Sequence, residues 1–272
     1  MNNIHPTAII EKGAEIADNA LIGAYSIIGP DVKIGPDNRI GHHCNITGHT
    51  TIGKNNNFSP YCSIGTPPQD ISYKDEPTTL NIGDNNVFKE FITINTGTLK
   101  DNGETIVGNN NYLMAYCHIG HDGILGDNII IANGVQLGGH VKIENYASLG
   151  GLAGVHHLVT IGEHSFIGGI AKIIQDVPPY MIVEGHPAKV RALNIIGLQR
   201  RGFSEDTIKA LEESYRLIWR SKLTSVQAFQ QLLSTPKTNT CKEVLHLIQF
   251  LRNTYKGKFG RYKESLRKVT AR

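Results

Sequence analysis

The chain carries an apolar residue at every sixth position over most of its length. From Ile4 the register runs through Ile10, Ile16, Ile22, Ile28, Ile34, Ile40, Ile46, Ile52 and Phe58 to Ile64 without a break. It returns at Ile82, Phe88 and Ile94. It then runs from Val107 through Leu113, Ile119, Leu125, Ile131, Leu137, Ile143, Leu149, Val155, Ile161 and Ile167 to Ile173. A helix repeats every 3.6 residues and an ordinary strand every two, so neither produces a sustained six. A hexapeptide solenoid does, each hexad giving one short strand and one turn with its aliphatic residue inward. A small residue two places earlier, such as Ala20 before Ile22 or Ser26 before Ile28, points inward too. Three hexads close a triangular coil, so residues eighteen apart stack, about 4.8 Å from one another. One coil cannot bury its own core, and stability comes from stacking.

Two segments break the register. The Pro-rich stretch from Thr66 to Pro77 predicts a projecting loop, although its length also fits one irregular coil. The step from Ile94 to Val107 is not a multiple of six, so a loop must bulge near residues 96–105. The register ends at Asp176-Val-Pro-Pro-Tyr180, after which the composition reads as helical. Ser204 is a good N-cap with Glu205 and Asp206 in the first turn. Apolar stripes follow at Ile208, Leu211, Tyr215 and Ile218, at Val226, Phe229, Leu232 and Leu233, and at Val244, Leu245, Ile248, Leu251 and Tyr255. The expected organisation is a mainly β solenoid over 1–190 and an α-helical domain over 191–272.

Composition sharpens this picture. The 29 glycines against 7% aromatic residues fit a turn-rich repeat protein. No apolar run is long enough to span a membrane, and the N-terminus lacks the pattern of a secretory signal. Cys44, Cys62, Cys117 and Cys241 form no CxxC pair and no metal-ligand spacing, which predicts reduced thiols and a cytoplasmic protein. The net charge of +3 hides a split: residues 1–188 hold 9 Lys/Arg and 18 Asp/Glu, and residues 189–272 hold 18 and 6. The basic C-terminal part is either a solvated helical face or a docking surface for an acidic protein or a nucleotide phosphate. No nucleic-acid motif or aromatic platform accompanies it.

Five of the 12 histidines, His118, His121, His140, His156 and His157, fall in one window. Adding eighteen stacks His121 with Gly139 and His157, Asp122 with His140 and Leu158, and His118 with Gln136 and Gly154. The cluster should sit at a corner of the solenoid, outward-facing, and open to enclosure by a neighbouring subunit. Three readings fit: a solvated polar ladder, a zinc site, or a general base. The zinc pattern known on such solenoids needs a second histidine five residues on, and position 162 is Gly162. A His–Asp pair can take a proton from a sugar hydroxyl, and a stacked glycine can offer its N–H to an oxyanion.

Five segments together carry a specific resemblance: His118-Ile-Gly-His-Asp122, Leu137-Gly-Gly-His140, Gly150-Gly151, Asp176-Val-Pro-Pro-Tyr180 and Asn194-Ile-Ile-Gly-Leu-Gln-Arg-Arg-Gly-Phe203. The chain resembles the UDP-N-acetylglucosamine acyltransferases of lipid A biosynthesis, members of the hexapeptide-repeat acyltransferases. The resemblance implies a left-handed parallel β-helix with a C-terminal α-helical domain, assembled as a homotrimer with sites between subunits. It implies transfer of a 3-hydroxyacyl chain from acyl carrier protein to the 3-position of UDP-N-acetylglucosamine, with no metal or other cofactor. By the same resemblance His121 is the general base, Asp122 its orienting carboxylate and Gly139 the oxyanion donor. His118, His140 and His156, with His157 beside them, line the sugar pocket. Asp70 binds sugar, and Asn194, Arg200 and Arg201 lie near the nucleotide and the carrier's phosphopantetheine. Gly169 limits the far end of the acyl groove; a glycine there implies a long chain, unless it only serves a turn. The chain departs from the family pattern at Ser72, Asn95, Thr96, His157 and Ile196, and Gly185-His-Pro-Ala-Lys189 is closer to hexapeptide acetyltransferases. These departures bear on diphosphate and uracil contacts and admit an acceptor with a 3-amino group. A related nucleotide-sugar N-acyltransferase or acetyltransferase, and a non-catalytic scaffold, are the alternatives.

Overall fold

The hexads become strands only two residues long, such as Ile27–Ile28, Lys33–Ile34 and Arg39–Ile40, with the first residue outward and the second buried. The computed structural model describes residues 3–266. In it Ile4 pairs with Ile22, Ile22 with Ile40 and Ile40 with Phe58, all parallel. This stacking builds three sheets of 11, 9 and 8 strands, wound as a left-handed parallel β-helix. Right-handed crossovers follow from strand twist, and two-residue strands have little to impose.

The interior is a set of aliphatic columns. Ile28, Ile46, Ile64, Ile94 and Ile119 stack in one of them, each wholly buried. Each such side chain is worth about 1.5–3 kcal/mol on burial. The corners repeatedly place a residue other than glycine in the left-handed region, among them Asn19, Asp37, Asp122 and His140. Asn, Asp and His tolerate that conformation better than most residues.

The first loop leaves the coil rather than forming an irregular turn of it. Ile52 pairs with Ile82, thirty residues on instead of eighteen, and Ile71 in the loop is fully exposed. Ile82 pairs with Val107, twenty-five residues on, so the second loop bulges out ahead of the strand Glu104–Val107.

The chain beyond Tyr180 is not immediately helical. It first makes an antiparallel hairpin, Met181–Gly185 with Ala188–Leu193, containing a cis His186–Pro187 bond. The hexad register has lapsed there, and the short alternation Lys189, Val190, Arg191 is easily missed. Position 190/191 falls inside the second strand of this hairpin. Among the described residues six helices follow: α1 (Ile195–Arg200), α2 (Glu205–Trp219), α3 (Ser225–Ser234), α4 (Pro236–Asn239), α5 (Lys242–Thr254) and α6 (Tyr262–Ser265). Ser204 caps α2 by accepting from the Thr207 N–H, and Thr224 and Gln227 form a capping box on α3. Ile208, Leu211, Phe229, Leu232, Val244, Ile248 and Leu251 are buried as their stripes require, whereas Val226 and Leu245 are exposed. On α5, Leu247 takes the core-facing place expected of Leu245. Of the basic C-terminal part, residues 267–272 lie outside the described ones. Among the described residues no helix is long and apolar enough to cross a membrane.

Candidate active site

One sheet face carries the histidine window. His118–Ile119, Gln136–Leu137, Gly154–Val155 and Lys172–Ile173 stack in register. Their outward residues and the turns that follow line an open groove of about 480 Å³, with His118, His121, Gly139 and His156 in its wall. The turn after Ile119 needs a left-handed residue, and Asp122 supplies it with φ 59°. His121 stays partly accessible at 14%, while the Asp122 carboxyl behind it is 1% exposed.

The two side chains form a dyad. His121 Nδ1 lies 2.7 Å from Asp122 Oδ2. A carboxylate there takes the Nδ1–H and leaves Nε2 as the proton acceptor. Thr98 donates to Asp122 twice, from its backbone N at 2.8 Å and its hydroxyl at 2.6 Å. The Asp122 N–H donates to Thr105 Oγ1 at 2.8 Å. Burial alone would raise the Asp122 carboxyl, but the hydrogen bonds from His121 and Thr98 outweigh it and hold the group below the usual carboxylate range. His140, one coil along, sets its ring edge-on to His121 with centroids 5.0 Å apart. Its Nδ1 is 3.1 Å from Asp101 and 3.6 Å from Asp122.

This arrangement corrects the expected surface cluster. Asp122 and His140 are buried, and this chain's own second loop covers them, because Thr98 and Asp101 fold back onto the corner. Ligand atoms of His121, Asp122 and His140 lie within 4.8 Å of one another, close enough for one metal ion. The His121–Asp122 bond and the stacking of His140 one coil along account for that closeness.

The remaining expected residues fall into separate places. His118 lines the groove and bonds Thr93 Oγ1 at 2.8 Å; burial, then the neighbouring His121, lowers its pKa. His156 and His157 are exposed, with ring centroids 4.0 Å apart. Asp70 sits in the first loop, 2.6 Å from Lys100 of the second; that ammonium, with the Ser72 N–H, holds its carboxyl well below the usual range. Gly169 sits at the corner preceding Lys172–Ile173, outside the groove wall. Its φ is not positive, and the left-handed residue of that turn is Ile170, so the turn does not require glycine at 169. Asn194 caps α1 through the Gly197 N–H and donates to His164 O at 2.9 Å. Arg201 stacks over Tyr146 at 4.7 Å, and Arg200 is exposed in the last turn of α1. Tyr146 and His164 stand on a different corner from His121, so a single chain does not unite Asn194, Arg200 and Arg201 with the groove. Sequence reasoning missed Thr98, Lys100, Asp101, Thr105 and Lys263. The break in register announced a loop, but nothing periodic says where a loop lands.

A family model described as Udp N-acetylglucosamine O-acyltransferase, Domain 2, matches residues 176–259, and the bacterial transferase hexapeptide model matches residues 13–48. An acyl-[acyl-carrier-protein]–UDP-N-acetylglucosamine O-acyltransferase from Paraburkholderia phymatum is 46% identical over 94% of this chain and 99% of its own. One from Syntrophobacter fumaroxidans is 49% identical over 93% and 98%. The crystal structure of the UDP-N-acetylglucosamine O-acyltransferase of Moraxella catarrhalis superposes with a TM-score of 0.86 at 42% identity, covering 90% of this chain and 95% of that one. Matched in sequence along nearly its whole length and in fold by solved members, the chain belongs to the UDP-N-acetylglucosamine O-acyltransferase family.

Proposed function

We propose that this protein transfers a 3-hydroxyacyl group from acyl carrier protein to the 3-position of UDP-N-acetylglucosamine, the first step of lipid A biosynthesis, with His121 as general base. The observation that carries the reading is the 2.7 Å His121–Asp122 dyad at the wall of the groove. His121 Nε2 takes the proton from the sugar hydroxyl as its oxygen attacks the thioester carbonyl. The tetrahedral oxyanion is held by the Gly139 N–H. Its collapse breaks the C–S bond, and the imidazolium returns the proton to the departing thiolate. Asp122 stabilises the imidazolium throughout, and the thioester supplies the activated acyl group, so no metal or cofactor is needed.

The division of labour follows the fold. The solenoid carries the chemistry, and the helical part that begins at Ile195 receives the acidic carrier, with Arg200 and Arg201 at its near edge. Assembly as a homotrimer would bring the corner bearing Asn194, Arg200 and Arg201 against a neighbour's groove. An exposed ladder of Tyr25, Tyr61, Phe91, Tyr116, Leu152 and Ile170 along one corner suits such packing. The four unpaired thiols suit a cytoplasmic setting.

A second acceptor has its own support. Asn95 lines the groove and is buried; its Nδ2 donates to Thr66 Oγ1 at 3.0 Å and Pro67 O at 2.9 Å. Its Oδ1 has no hydrogen-bond partner among the described residues. A hydroxyl nucleophile has one hydrogen, which goes to His121. An amine has a second, which Asn95 could accept. Incubation with 3-hydroxyacyl carrier protein and either UDP-N-acetylglucosamine or its 3-amino analogue, with the product read by mass spectrometry, tests both. An ester or an amide at position 3 supports the reading; no acyl sugar from either acceptor refutes it.

A further inference from the structure

The second loop brings in a carboxylate that the transfer does not use directly. Asp101 Oδ2 lies 3.1 Å from His140 Nδ1 and 3.9 Å from Lys263 Nζ. Lys263 Nζ also donates to the His140 backbone carbonyl at 2.9 Å. The His140 side chain is 4% exposed and that of Asp101 31%, so the pair straddles the edge of the buried site.

Lys263 reaches this point from the far end of the chain. Asp122, His140 and Leu158 form one corner column, Asp176 stands against Thr160 just beyond its end, and the segment after α5 runs beside them as a strap. The buried Asp176 carboxylate accepts from the backbone N–H groups of Thr160 and Tyr262, both at 2.7 Å. The Asp176 N–H donates to Gly260 O at 2.7 Å. Arg261 donates to Ile174 O at 2.9 Å and pairs with Glu264 at 3.1 Å. These bonds set the register of the strap, and that register delivers Lys263 to His140 and Asp101.

The geometry around Asp122 says what this could accomplish. Asp122 Oδ2 already accepts from His121 Nδ1 at 2.7 Å and Thr98 Oγ1 at 2.6 Å. His140 Nδ1 stands 3.6 Å from the same oxygen, beyond hydrogen-bond range yet reachable by a small ring rotation. A third donor would weaken the other two. Asp101 offers the same His140 nitrogen a separate and nearer acceptor, at 3.1 Å.

We propose that Asp101 is a positioning residue for acyl transfer and that Lys263 of the strap holds it there. Together they keep His140 off Asp122, so that Asp122 stays engaged with His121. The inference rests on His121 being the base.

The test uses the full chain in steady-state transfer, with Asp101→Ala, Asp101→Asn, Lys263→Met and the double variant Asp101→Ala/Lys263→Met, beside His121→Ala. Asp101→Ala should lower kcat about tenfold with the sugar-nucleotide KM within twofold. The acid limb of its pH–rate profile should differ from that of the wild type, since the bond between Asp122 and His121 is weakened. Asp101→Asn keeps an acceptor oxygen and should recover most of kcat. Lys263→Met should show a smaller loss that vanishes in the Asp101→Ala background, as expected of residues acting through one chain. Wild-type kcat and pH profile in a folded Asp101→Ala overturn the proposal. So do additive losses, or equal losses in Ala and Asn variants that track lower melting temperatures. If His121→Ala is inactive while Asp101→Ala is normal, the positioning role alone fails. If His121→Ala is active, the underlying assignment of the base fails.

Discussion

Gly139→Ala probes the dyad through a single methyl group. A Cβ built on Gly139 would lie 2.5 Å from His121 Cε1 and 2.6 Å from Nε2. Comfortable carbon contacts begin near 3.5 Å, so the imidazole must retreat by about 1 Å. The backbone at 139 has no positive φ, so alanine adds no backbone strain, and its N–H is kept. His121 borders an open groove and has room to swing outward, so the fold should survive with little change in melting temperature. The swing breaks the 2.7 Å bond to Asp122 and moves Nε2 off the acceptor hydroxyl. Misplacement of a reacting group by about 1 Å costs on the order of 10² in rate, or about 2.7 kcal/mol of transition-state stabilisation. The assay is steady-state transfer from an acyl carrier protein thioester, with thermal melting in parallel. Gly151→Ala, whose Cβ would meet only Asn133 O at 3.4 Å, is the control and should behave as wild type. A kcat for Gly139→Ala within threefold of wild type would mean that His121 does not act from this position.

Three further outcomes are expected. Gly169→Met, at the corner just beyond the groove wall, should reduce transfer from acyl donors long enough to reach that corner and keep or raise it on shorter ones, because overpacking costs about 1–3 kcal/mol against the longer chain; equal loss on all donors removes Gly169 from length selection. Charge reversal of Arg200 and Arg201 should raise the KM for acyl carrier protein and flatten its salt dependence; an unchanged KM places carrier docking elsewhere. The joint between helices and solenoid should be pH-sensitive: the Glu163 hydrogen bond raises His246 above its ordinary 6.5, and His246 holds Glu163 at about 2, below its ordinary 4.5. That pair contributes fully between about pH 4.5 and 6.5, fading as pH rises through the raised His246 value or falls through about 2. His246→Gln should flatten the alkaline decline in melting temperature; an undiminished decline would show that this pair does not set it.

How far the sequence could be read depended on periodicity. Six-residue spacing places Ile4 to Ile173 in their columns, and adding eighteen puts Gly139 against the His121 ring without any structure. It also puts His140 beside Asp122. Burial of that pair could not be read the same way, because Thr98 and Asp101 come from a segment where the register breaks. Lys263 is 142 residues from His121, and the bonds of Asp176 and Arg261 bring it near. The hairpin after Tyr180 escaped for a related reason: its alternation is brief and follows a run of prolines. Val226 and Leu245 show that an apolar residue near a helical stripe need not lie on its buried face.

The central claim, that the His121–Asp122 dyad supplies the base, is tested most directly by His121→Ala. Turnover from a 3-hydroxyacyl carrier protein thioester to the UDP-sugar should fall by about 10²-fold or more, with the melting temperature and the sugar-nucleotide KM near those of wild type. Turnover within a few fold of wild type, in a protein shown to be folded, would contradict the account.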